Sequence, residues 1–238
     1  MSDKNIKNKK ENLHAGHRER VKQQILAGTI NENSPPHILL EALLYYSVPR
    51  RDTNPIAHRL INRFGSLGAV LCAPDEELLK IDGITKNTVA LFRVYALVTK
   101  RFAMEKTDST DELHSTDEIG EYLKTRYTMK TGEWVSLLCI KPSGKVLSFD
   151  FIGEGDIASV GISTRRILEI AIKCGANVVI LAHNHPSGIA LPSAIDIEIT
   201  KGLISSLRQV GITLADHIIV TDDDYVSMAQ SAEYNQLF

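Results

Sequence analysis

From about His14 to Arg101, apolar residues recur every three or four positions. The stretches are HRERVKQQIL, HILLEALLYYSV, NPIAHRLINRF, SLGAVLCA, PDEELLKI and NTVALFRVYALVTKRF. That spacing predicts short helices, and the Pro, Gly and Asn residues between them predict their ends. No alternating run interrupts the series, so the first half reads as all-α. Pro74 followed by Asp75, Glu76 and Glu77 marks a helix start. Proline needs no amide partner in a first turn, and carboxylates there meet the positive end of the helix dipole.

Met104–Ser115 (MEKTDSTDELHS) is polar and without apolar period, which predicts a linker. Beyond it, DEIGEYLKTRY predicts a helix. WVSLLCI and KVLSFDFI are strand-like runs, joined by Pro142-Ser143-Gly144 as a hairpin turn. STRRILEIAIKCGA predicts an amphipathic helix closed by Gly175, NVVILAHNH a buried strand, and SAIDIEITKGLISSLRQVG a long helix closed by Gly211. TLADHIIVTDDDYVSM predicts strand, Asp-rich turn and strand. The expected organisation is a disordered basic arm over 1–12, a helical domain over 13–103, a linker over 104–115 and a mixed α/β domain over 116–238. The fold class is α+β or α/β, with an all-α first part.

Composition narrows the function classes. Of the 238 residues, 43% are hydrophobic and 24% charged, which excludes a disordered or collagen-like chain. No apolar run approaches the ~18 residues of a membrane span, so no membrane partner is expected. The basic start MSDKNIKNKKENLH has no apolar stretch and does not read as a secretory signal. Cys72, Cys139 and Cys174 are far apart, with no C-x-x-C. That suits a reducing cytoplasm and argues against a disulfide framework or a cysteine-based zinc finger. The net charge of −2 divides into +6 over residues 1–103 and −8 over 104–238. A basic half joined to an acidic half suits two domains with different partners, although such a run is also simply a solvated face.

The chemistry concentrates in Leu181–Asp196, LAHNHPSGIALPSAID. His183 and His185 lie two apart at a strand end, so the period of two points both imidazoles to one side. Pro186 stops the strand. Ser193 reads as the N-cap of the next helix, with Asp196 in its first turn. Two imidazoles and one carboxylate make a three-ligand set for one Zn²⁺ with a fourth position left for water, the arrangement of a catalytic site. Ser193-x-x-Asp196 by itself would be only a capping box. A zinc hydrolase also needs a general base. Glu133, just before WVSLLCI, and Glu154, just after FDFI, both qualify by position, and spacing alone does not choose between them.

The string H-x-H-P-x6-S-x2-D resembles the signature of JAMM (MPN+) metallopeptidases, whose fold is a mixed, cytidine-deaminase-like β-sheet flanked by helices. ILAHNHPSG, PSxxDIxxT and LxDHIIV resemble the bacterial RadC family, named for DNA repair. The resemblance extends to GHRERV, LLEALLYY, PRRDTNPIAHRLINRFGSL and LLKIDGIT, from about His14 to the C-terminus. It implies that His183, His185 and Asp196 hold the metal, that Glu133 rather than Glu154 is the base, and that Ser193 hydrogen-bonds the oxyanion. The implied reaction is hydrolysis of an amide or isopeptide bond in an unidentified protein or peptide. Many family members have Pro-Arg-Glu where this chain has Thr164-Arg165-Arg166, which reverses a charge on that helix without touching the ligands.

LLKIDGITKNTVALF resembles a helix-hairpin-helix, a phosphate-gripping element of DNA-binding proteins. Gly83, Thr85 and Lys86 are its candidate DNA contacts. Thr85 replaces the usual second glycine, which weakens the amide cradle, and a packing hairpin is the plainer alternative. His14 and His17 lack a third ligand. Asp216-His217 reads first as a strand-edge or turn-stabilising pair, and second as support for the metal ligands. The rival functional class is a DNA-binding accessory protein of repair or recombination whose metal site is structural or vestigial. A zinc nucleobase deaminase is disfavoured, because H-x-E and P-C-x-x-C are missing.

Overall fold

The computed structural model describes residues 16–107, 112–155, 157 and 164–238. The arm expected over 1–12, and His14, lie outside the described residues. The chain divides into two compact units between Val98 and Thr99.

The first unit is helical. Its elements are α1 (His17–Leu26), α2 (Pro36–Leu44), α3 (Asn54–Phe64), α4 (Leu67–Cys72), α5 (Asp75–Leu79) and the start of α6 (Lys86–Thr107). Leu40, Leu44, Ile56, Leu60, Leu78 and Phe92 are buried together as its core. Ser66 caps α4 by accepting from the Ala69 amide, and Pro74 sits at the N-cap of α5. Burying a large apolar side chain contributes roughly 1.5–3 kcal/mol, so this core accounts for the first five helices, which are too short to persist alone. α6 runs on to Thr107, so the opening residues of the expected linker are helical. Near its far end, Glu112 bridges Lys145, and Ser115 caps the next helix by accepting from the Glu118 amide.

The second unit continues with α7 (Thr116–Tyr127), β1 (Trp134–Ile140), β2 (Val146–Glu154), α8 (Thr164–Cys174), β3 (Val178–Asn184), α9 (Ala194–Arg208), β4 (Thr213–Val220) and β5 (Tyr225–Ser227). Among the described residues, the five strands form one mixed sheet in the order β2-β1-β3-β4-β5. Only the β3/β4 pair is parallel, as expected where α9 makes the crossover. The hairpin turn has Gly144 at φ +90°, and its amide donates to the Lys141 carbonyl.

Alternation sends the strand residues to two layers. Val135, Leu137, Cys139, Val179 and Leu181 pack with Ile167, Ala171, Leu203 and Leu207 of α8 and α9. Leu138, Ile140, Ile180, Ala182, Ile218 and Val220 pack with Tyr122 and Leu123 of α7. The result is helix, sheet, helix: an α+β protein whose mixed sheet follows a helical region.

Candidate metal centre

β3 supplies His183, and Pro186 ends the strand just beyond His185. The His185 amide still donates to the Val220 carbonyl, so the first loop residue stays aligned with the sheet. His183 lies on the α8/α9 face, in line with Val179 and Leu181. α9 supplies the carboxylate. Its buried stripe is Asp196, Thr200, Leu203 and Leu207, one or two turns apart. Ser193 Oγ accepts from the Asp196 amide and the Ser193 amide donates to Asp196 Oδ2, a reciprocal capping box. This cap fixes Asp196 at the point where α9 meets the end of β3.

The three groups converge. His183 Nε2 is 2.9 Å from His185 Nε2 and 3.3 Å from Asp196 Oδ1, and His185 Nε2 is 4.0 Å from Asp196 Oδ2. One ligand atom from each residue falls within 4.8 Å of the others. Asp196 and His183 are buried, and His185 is half-buried. The donor set is two imidazole nitrogens and one carboxylate oxygen, which suits a divalent ion of borderline softness. His185 Nδ1 donates to the Ile189 carbonyl at 2.9 Å, leaving Nε2 as the lone-pair nitrogen of a neutral ring. Burial pulls the His183 pKa down to about 4, against the pull of Asp196 and with the push of His185. Its imidazole is therefore neutral near pH 7 and available as a ligand. The group can hold a metal ion.

The two candidate glutamates differ in their place relative to the sheet. Val135 is the cross-strand partner of His183. Glu133 immediately precedes β1 and His185 immediately follows β3, both just beyond the last pair of this ladder. Asn184 secures this approach: its Oδ1 accepts from the Trp134 amide and its Nδ2 donates to the Gly132 carbonyl, at 2.8 and 3.0 Å. Glu154, the last residue of β2, is paired with Trp134 and so belongs to the opposite face. Asn184 was not among the candidates from the sequence; its only signal was its place between the two histidines.

His217 proves to be a neighbour of the centre. A bulge opposite Val179/Ile180 places one extra residue, Ala215, in β4. Without it, His217 would pair with Ala182 and face α7. With it, His217 pairs with Leu181 and turns to the ligand face. His217 Nε2 is 2.9 Å from His183 Nδ1, and His217 Nδ1 is 2.6 Å from Thr200 Oγ1. The pair thus splits its work. Asp216 turns to the other face, where its carboxylate accepts from Ser227 Oγ and from the His217 and Ala229 amides. His217 contacts the ligand. Thr200 too escaped sequence reading, although Asp196-x3-Thr200 is a one-turn spacing. Arg165 and Arg166 are exposed on α8, and Arg165 pairs with Glu169 at 2.9 Å.

In the first unit, Gly83 has φ +95°, and a Cβ there would run into Ile56. Asp82 pairs with Arg51 at 2.8 Å. Thr85 and Thr88 exchange amide-to-hydroxyl contacts at 3.4 Å around the start of α6. Thr85 and Lys86 are exposed.

A mixed sheet between helical layers, with two histidines at a strand end facing a capped aspartate, defines a JAB-type domain with a triad that could hold a metal ion. The RadC-like JAB domain family matches residues 113–234, half of the chain. A UPF0758 protein of Fusobacterium nucleatum subsp. nucleatum is 31% identical over 222 residues, which cover 90% of this chain and 95% of that protein. The chain belongs to the RadC-like JAB-domain family.

Proposed function

We propose that the chain is a zinc-dependent hydrolase of amide or isopeptide bonds in a protein or peptide. The observation that carries this reading is the convergence of His183, His185 and Asp196 at the end of β3, which is paired with the start of β1, the strand that Glu133 precedes. A bound Zn²⁺ supplies Lewis acidity, lowering the pKa of a water and polarising the scissile carbonyl. His183, His185 and Asp196 would hold it. Glu133 takes the proton from the attacking water and returns it to the departing amine. Ser193 Oγ accepts from the Asp196 amide and keeps its own hydrogen to donate to the developing oxyanion.

The test is metal analysis of protein purified without added zinc, with cleavage of a peptide library followed by mass spectrometry. One zinc per chain, and cleavage lost in Glu133→Gln, supports the hydrolase. One zinc per chain with no cleavage by wild type would favour the accessory-protein reading, with a structural or vestigial metal. Absence of stoichiometric metal would remove both.

We further propose that the helical unit associates with DNA through the hairpin between α5 and α6. The positive φ of Gly83 and the exposure of Lys86 at the first turn of α6 support this. The use of Thr85 in capping α6 leaves the backbone amides and Lys86 as the phosphate donors. Binding to a DNA duplex should weaken steeply with salt, and Lys86→Glu should reduce both affinity and the salt slope. Absent or salt-insensitive binding would leave the hairpin as a packing element.

A further inference from the structure

The hydrogen bonds behind His183 form one chain, and a consistent direction along it starts from a group that can only accept. The Asp196 carbonyl oxygen lies 2.6 Å from Thr200 Oγ1, so the threonine hydroxyl must donate to it. With that hydrogen committed, Thr200 Oγ1 is an acceptor toward the ring nitrogen 2.6 Å away, and His217 Nδ1 carries the hydrogen. His217 is wholly buried, with no carboxylate on its ring, so the neutral form is favoured and Nε2 is its lone-pair nitrogen. His183 Nδ1, 2.9 Å away, must then be the donor. The consequence falls on the far side of that ring: His183 Nε2 is left bare, aimed at His185 Nε2 and Asp196.

We propose that His217 and Thr200 are a positioning pair that locks the tautomer and orientation of His183, so that its Nε2 lone pair always faces the metal. The proposal rests on the metal reading above and extends it to two residues that touch neither metal nor substrate. The chain of bonds is closed. It leaves His183, passes through His217 and Thr200, and returns to the backbone of Asp196, a second ligand. The strand ligand and the helix ligand are thereby held as one unit, and the lock exists before any ion arrives. The bulge at Ala215 has a purpose in this scheme, since it alone brings His217 to the ligand face.

The pair differs from ordinary packing in what its removal does. Thr200→Val keeps the shape and removes the acceptor. The His217 hydrogen then has no partner at Nδ1 and moves to Nε2, where it donates to His183 Nδ1. The His183 hydrogen is driven to Nε2, the position a metal needs.

The experiment uses the full chain labelled with ¹⁵N-histidine. Long-range ¹H–¹⁵N spectra of the chelator-treated protein at pH 7.5 should show His183 and His217 both protonated at Nδ1, and both shifted to Nε2 in Thr200→Val. Zinc affinity, measured by competition with a chromophoric chelator, should fall about 10–100-fold in Thr200→Val and in His217→Ala. His217→Gln, whose amide can accept and donate along the same line, should recover most of it. Circular dichroism verifies that each variant is folded; wild-type tautomers decide the matter even where a variant is not. Protonation of wild-type His183 at Nε2, or unchanged zinc affinity in folded Thr200→Val, would overturn the proposal. A wild type that binds no zinc would overturn the metal reading itself, and this proposal with it.

Discussion

Val135 of β1 and His183 of β3 stand directly opposite each other in the antiparallel ladder. That pairing brings the start of β1 beside the end of β3, and Glu133 immediately precedes β1. Glu133 lies two residues before Val135, as His185 lies two residues after His183, and the proposed function takes the three side chains to share one face. Glu154 pairs with Trp134 and takes the other. Glu133→Gln should therefore retain zinc, by chelator competition, while hydrolysis falls about 10²–10⁴-fold, the usual contribution of a general base. Glu154→Gln should change neither. Equal losses in both variants would mean that the face does not matter.

Metal should stabilise the second unit and not the first. A ligand that binds only the folded state at 1,000 times its dissociation constant adds about 4 kcal/mol. Zinc should raise the unfolding temperature of wild type in calorimetry, and a chelator should reverse the shift. His183→Ala and Asp196→Ala should lack the shift. Asp196→Ala should also be less stable without metal by about 0.5–2 kcal/mol, because it breaks the capping box of α9.

Two glycines should respond with opposite sign. Gly144 sits at φ +90°, and a Cβ there would collide with the Leu113 carbonyl. Gly144→Ala should destabilise by about 1–3 kcal/mol in urea unfolding, through a strained backbone and a displaced contact. Gly202 lies within α9, and a Cβ there meets nothing within 4 Å. Gly202→Ala should stabilise by about 0.5–1 kcal/mol, since alanine loses less chain entropy in a helix.

Burial raises the Asp216 pKa above its ordinary 3.8, outweighing the donors from Ser227, Ala229, His217 and Met228. The folded protein then holds this proton at pH values where the unfolded chain has released it. Stability rises with pH only where the unfolded state holds more protons, so this carboxyl lowers stability as pH climbs from about 3.8 through the raised value. Asp216→Asn can keep the acceptor oxygen for the His217 and Ala229 amides, and donate to Ser227 Oγ. Its stability relative to wild type should grow across that window and then level off, as read from urea midpoints at successive pH values. A constant difference would mean that Asp216 titrates normally.

Much of this molecule is a matter of local pattern. The helices of the first unit, the hairpin at Pro142-Ser143-Gly144, the glycine stops at Gly175 and Gly211 and the Ser193–Asp196 cap are short-range features. Their physics is contained in a few consecutive residues, so a linear reading finds them. The ligand triad was legible for the same reason: a strand end, a proline and a helix cap within fourteen residues leave little freedom for His183, His185 and Asp196 to separate. The end of α6 was less legible. Met104–Thr107 is polar and aperiodic, yet it continues a helix already nucleated upstream, where each further residue adds a hydrogen bond without a new nucleation cost.

What the sequence by itself determined was the set of elements, the two-part organisation and the trio of residues able to ligate a metal. Only the tertiary structure decided that Asn184 ties the segment before β1 to the ligand strand, and that His217 and Thr200 stand behind His183. Each of those depends on pairing between strands distant in the chain, and on a one-residue bulge at Ala215 that reverses the direction of every side chain after it. A period of two makes faces readable within a strand. It says nothing of how two strands are aligned, because register is settled by the packing of both layers at once.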